Sequence, residues 1–113
     1  MAWIAAADEV ACCRIGFVEV YRAIARAGAI DNLGVLAALE RDWAVMRVVD
    51  VDDHLVRGAA VLATTLGLRT LDALHLAAAE TLVGPDLRVL TWDIRLWRAA
   101  RARGLATLPE TEP

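Results

Sequence analysis

Apolar and polar positions along the chain alternate between two periods, and the changes of period mark out a series of short elements. Residues 1–9 are rich in alanine and read as the end of a helix. Residues 10–15 are short, mostly apolar and β-branched at both ends, which predicts a buried strand broken by Gly16. From Phe17 the apolar residues Phe17, Val20, Tyr21, Ile24 and Ala27 recur at helical spacing, while Glu19, Arg22 and Arg26 share another stripe. Gly28 closes that helix. Asp31 is placed to cap a second helix, through about Trp43, with Leu33, Leu36, Leu39 and Trp43 inward.

Residues 45–51 read as a second strand, apolar except for Arg47 and Asp50. Asp52 or Asp53 caps a helix over 54–66 that Gly67 ends, and Thr70 caps another over 71–83 that Gly84-Pro85 ends. Residues 87–91 read as a strand. Asp93 caps a last helix to Arg103, Gly104 stops it, and residues 105–108 make a final strand. Strands alternating with helices imply right-handed crossovers, a mainly parallel sheet and helices on both faces. Ligands of such sheets bind beyond the carboxyl ends of the strands, where Asp72 and Asp93 fall.

Length and composition narrow this picture. A chain of 113 residues holds one small domain, and 58% hydrophobic residues exclude disorder. No apolar run reaches the ~18 residues that span a bilayer. The N-terminus lacks a basic flank before Asp8, so a secretory signal is not expected and a cytoplasmic location is. Cys12 and Cys13 are adjacent, which strains a disulfide, so both are read as reduced thiols in a buried strand.

The net charge of −3 argues against broad nucleic-acid affinity. From Arg88 to Arg103, however, five arginines face the single acid Asp93. That segment is either a solvated basic helix face or a phosphate-binding one, with Arg95 and Arg98 as the candidate RNA contacts.

The acids leave a similar choice open. Asp93 can simply cap its helix, Asp72 can simply sit in a first turn where the macrodipole favours it, and Glu19 can pair with Arg22. Alternatively, the three carboxylates supply the oxygen ligands that a hard divalent cation requires.

The run Thr70-Leu-Asp72-Ala-Leu-His75-Leu-Ala, followed by Val89-Leu-Thr91-Trp-Asp93 and Gly104-Leu, closely resembles the C-terminal half of PIN-domain ribonucleases of the VapC toxin type. Cys13-Arg-Ile-Gly-Phe-Val-Glu19-Val-Tyr-Arg-Ala resembles the segment carrying that family's helix-borne glutamate. The resemblance implies a PIN-like three-layer α/β/α fold, truncated at its N-terminus. It also implies RNA cleavage dependent on Mg²⁺ or Mn²⁺, a small VapB-like antitoxin as partner, and a homodimer. By position it assigns Glu19, Asp72 and Asp93 to metal binding and catalysis, with Thr91 and His75 in support.

The family's opening strand, which ends in the first aspartate, has no counterpart here. Asp8 and Glu9 precede Glu19 but follow no apolar strand, so neither is assigned as a ligand. Losing that strand predicts unpaired strand edges and a metal site short of one carboxylate. Three expectations follow: an impaired or active metal-dependent endoribonuclease, an inactive remnant that acts only by binding an antitoxin or another toxin subunit, or a chain whose true start lies upstream.

Overall fold

The computed structural model describes residues 4, 6–82 and 84–113. The predicted helix end over 1–9 falls partly outside these residues, and so does Val83, the expected last residue of the helix that begins near Thr70. The chain divides into two compact units, Met1–Asp50 and Val51–Pro113.

In the first unit, β1 (Ala11–Cys13) runs parallel to β2 (Arg47–Val49), with Cys12 opposite Val48. Two further backbone bonds extend this ladder, from Arg47 N to Val10 O at 3.0 Å and from Arg14 N to Val49 O at 2.9 Å. Parallel strands cannot be joined by a hairpin, and the connection here carries α1 (Gly16–Arg26) and α2 (Leu33–Val45). Phe17 ties the two helices together, with its ring 5.3 Å edge-on to Trp43 and 6.2 Å from Tyr21. Cys13 is buried, Cys12 is half-buried, and both thiols are free as expected. Arg14 pairs with Asp50, and Arg47 with Glu9.

Two expectations for this unit are corrected. The cap of α2 is Asn32, not Asp31: its extended backbone sets Oδ1 over the Val35 amide at 3.2 Å. The helix therefore starts one residue later than an Asp31 cap implies, and it runs on through Val45. The apolar stripes are also less buried than helical spacing suggests. Val20 and Tyr21 are exposed on α1, as is Leu33 on α2, and Phe17, Ile24, Leu36, Leu39 and Trp43 are half-buried.

The second unit holds most of the core. Asp52 caps α3 (Asp53–Leu66), its Oδ1 accepting from Leu55 N at 2.8 Å. Gly67 ends that helix at φ +65°, a left-handed conformation that favours a residue without Cβ. Next comes α4 (Thr70–Thr81). Leu55, Ala59 and Leu62 form the buried face of α3, and Ala73, Leu76, Ala77 and Ala78 that of α4. The small alanines let the two helices pack closely around Leu76, which is wholly buried.

β3 (Arg88–Leu90) then pairs parallel with β4 (Ala106–Leu108), Val89 opposite Thr107, and α5 (Ile94–Ala102) is the crossover. Leu96, Trp97, Ala99 and Ala100 are its buried face. The Trp97 indole Nε1 donates to the Pro109 carbonyl at 2.7 Å, fixing α5 to the chain just past β4. Among the described residues no helix is long and apolar enough to cross a membrane.

Thr70 is corrected in this unit. It is the first helical residue of α4 rather than its cap. Arg69 occupies the cap position in extended conformation and makes no side-chain bond to the helix amides.

Candidate active site

The carboxyl end of β3 is where the second unit concentrates its chemistry. The strand ends at Leu90, and the next three residues, Thr91, Trp92 and Asp93, lead directly into α5. The Asp93 amide donates to Thr91 Oγ1 at 3.1 Å, which closes a tight hydroxyl-anchored turn. Asp93 Oδ1 then accepts from the amides of Arg95 and Leu96 at 2.8 and 3.2 Å. Asp93 is therefore the cap that local sequence predicts, and capping occupies only one of its two oxygens.

The other oxygen faces Arg69. Arg69 Nη2 donates to Asp93 Oδ2 at 3.0 Å, while Nε of the same guanidinium donates to Asp72 Oδ2 at 3.2 Å. Two carboxylates separated by 21 residues in sequence thus meet on one cation. Each also lies at the N-terminal end of a helix, where the macrodipole favours negative charge. The Asp72 side chain is 14% exposed and that of Asp93 37%, against 62% for Arg69, so the acids are the recessed partners.

This donor set suits a small hard cation. Asp72 and Asp93 present carboxylate oxygens to a shared position that already attracts positive charge, and such oxygens are what Mg²⁺ and Mn²⁺ select. Among the described residues no group of three or more His, Cys, Asp or Glu side chains forms a ready metal cluster.

The remaining sequence-assigned residues fall as follows. Glu19 is exposed on α1 in the first unit. His75 is half-buried on α4, one turn after Asp72. Arg95 and Arg98 are exposed on α5, and both line a groove of about 310 Å³ with Leu66, Leu68, Ala99 and Ala102. Arg98 is engaged by Glu112 through two bonds of 2.6 and 2.9 Å. That contact raises the Arg98 pKa further and lowers that of Glu112 below the usual carboxylate value. Arg103 is held likewise by Glu80, and Arg101 lies over the Trp97 ring at 5.3 Å. Arg98 and Arg103, two of the segment's five arginines, are therefore locally compensated by acids.

Sequence reading missed Arg69. The available signal was a basic residue three positions before Asp72, a spacing at which helical side chains meet. It also passed over Trp92, a 55% exposed indole between Thr91 and Asp93, and Leu71, exposed beside Asp72. Large apolar groups thus stand next to both acids in sequence.

Comparison with known proteins finds a family and several relatives. The model of the PIN domain family matches residues 1–102. Ribonuclease VapC45 of Mycobacterium tuberculosis strain CDC 1551 / Oshkosh is 36% identical over 108 residues, covering 90% of this chain and 75% of that protein. Ribonuclease VapC49 of strain ATCC 25618 / H37Rv matches with the same identity and coverage. Ribonuclease VapC35 of the same species is 38% identical over 97 residues, covering 80% of this chain and 65% of its own length. No solved structure matches the chain.

Proposed function

Because the chain belongs to the PIN-domain family, among the VapC ribonucleases, we propose that it is a toxin-type endoribonuclease dependent on Mg²⁺ or Mn²⁺ and restrained by a small VapB-like antitoxin. The observation that carries this reading is the convergence of Asp72 and Asp93 on a single positive charge beyond the carboxyl end of β3. Their Oδ2 atoms are the proposed metal ligands. Asp93 Oδ1 stays on the helix amides and so keeps the carboxylate aimed. Thr91 steadies the same turn through the Asp93 amide.

A divalent ion held by these carboxylates would supply an acidified water and offset charge building on a phosphodiester. Glu19 is the third carboxylate by family resemblance, and His75 is assigned a supporting part on the same ground. Arg95 and Arg98 are the proposed phosphate contacts, and Arg98 must leave Glu112 to serve. The exposed Val18, Val20 and Tyr21 on α1 favour association of two chains into a homodimer.

The test is incubation of purified protein with RNA in Mn²⁺, in Mg²⁺ and in EDTA, beside Asp72→Asn, Asp93→Asn and Glu19→Gln variants. Cleavage confined to the metal-loaded wild type is expected, and equal cleavage by the variants would sink the assignment. A folded, metal-loaded wild type that leaves RNA intact favours the other reading, a protein that acts by binding alone.

A further inference from the structure

Neither capping nor catalysis as described above uses Arg69, although its guanidinium contacts both proposed metal ligands. We propose that Arg69 is the resident counter-ion of the Asp72–Asp93 pair, and that a divalent cation must displace it in order to bind. This inference rests on the metal-dependent reading of the site.

Three observations carry it. First, the contested atoms are the same. Arg69 engages Oδ2 of both aspartates, and for Asp93 the other oxygen is already committed to two backbone amides. Second, the arginine is built to span the pair. One N–H group of the guanidinium addresses each carboxylate, Nε that of Asp72 and Nη2 that of Asp93, a reach that a planar guanidinium has and a point charge lacks. Third, it can leave. Its backbone is extended at the cap of α4, its side chain makes no cap bond, and 62% of it is in water.

Electrostatics then sets the two states against each other. Without metal, two neighbouring carboxylates repel, and Arg69 offsets that repulsion. With metal, a guanidinium left between the same oxygens would face a double positive charge at close range. Swinging out to solvent removes the conflict. Arg69 is thus a positioning residue that stabilises the empty site and raises the cation concentration needed to fill it.

The experiment is calorimetric titration of the full chain with Mn²⁺, paired with thermal melts in EDTA and in Mn²⁺, for wild type, Arg69→Gln and Arg69→Lys. Arg69→Gln should melt earlier than wild type in EDTA, show the larger Mn²⁺-induced rise, and bind Mn²⁺ about threefold to thirtyfold more tightly, the range expected from losing two partly exposed ion pairs. Arg69→Lys, which keeps the charge but not the span, should fall between them and covers the case in which the glutamine variant does not fold. Unchanged or weaker Mn²⁺ binding in Arg69→Gln overturns the counter-ion role, whether or not RNA is cut. If wild type and both variants are folded and none binds Mn²⁺, the metal-dependent reading fails, and the counter-ion role falls with it.

Discussion

Arg69 and Asp93 meet through one carboxylate oxygen only. Nη2 of the arginine donates to Oδ2 at 3.0 Å, while Oδ1 is turned into the start of α5, onto the amides of Arg95 and Leu96. Asp93 therefore does two separable things, and two substitutions separate them. Asparagine caps a helix as well as aspartate does, so Asp93→Asn should lose only the partly exposed pair with Arg69, about 0.2–1 kcal/mol in urea denaturation. Asp93→Ala should lose about 1 kcal/mol more, because it also removes the cap. Both should lose metal-dependent RNA cleavage. A stable but inactive Asp93→Asn protein would show that the acid's charge, and not its cap, is what the chemistry uses.

A second prediction concerns Thr107, at the centre of β4. Its side chain is 1% exposed, and among the described residues its hydroxyl has no hydrogen-bond partner. A buried hydroxyl without a partner keeps its desolvation cost and recovers nothing. Thr107→Val preserves shape and β-branching, so it should raise the unfolding free energy by about 1 kcal/mol. Chemical denaturation measures this directly. A loss of stability would mean that the hydroxyl is satisfied, for example by water.

Much of this was legible because the decisive signals are local. Asp52 and Asp93 were readable as caps, since a short acceptor before an apolar helix needs no tertiary partner. Gly67 and Gly104 were readable as stops, and both adopt positive φ. Thr70 and Asp31 were misread for a related reason. Each lies one position from the true cap, and residue type alone cannot tell a cap from its neighbour; the backbone angles of Arg69 and Asn32 decide it. Arg69 was illegible as part of the site. Its role depends on Asp93, 24 residues downstream, arriving beside Asp72 once β3 and α5 are in place. Leu33 was expected to face inward because helical spacing defines a stripe without saying what covers it.

The Cys12 thiol carries a pH prediction. Burial chiefly, then the neighbouring Cys13 and Glu19, push its pKa above the ordinary 9.0. The folded state therefore favours the protonated thiol. The associated stability is fully present below pH 9.0 and is lost as pH rises through the higher folded value. Because the thiolate is the reactive form, iodoacetamide at pH 8 should modify Cys12 much more slowly in the folded protein than in urea. Mass spectrometry of the Cys12–Cys13 peptide reads the difference. Equal rates in the two states would show that the site neither shields nor neutralises the thiol.

The same sulfur constrains the start of α1. A Cβ added at Gly16 would collide with Cys12 Sγ, which donates to the Cys13 carbonyl at 3.3 Å and cannot turn away without breaking that contact. Gly16 is buried and is the first residue of its helix, so relief by moving the backbone would disturb the packing of β1 as well. Gly16→Ala should therefore cost about 1–3 kcal/mol, the usual range for overpacking. Its intrinsic effect on a helix has the opposite sign, since alanine is the better helix former. Shortening the obstacle should uncover that preference. In the Cys12→Ala/Gly16→Ala double variant most of the loss should return, giving a coupling between the two sites of about 1 kcal/mol or more in a double-mutant cycle. Strict additivity would mean that the penalty arises from the backbone at Gly16 and not from the sulfur.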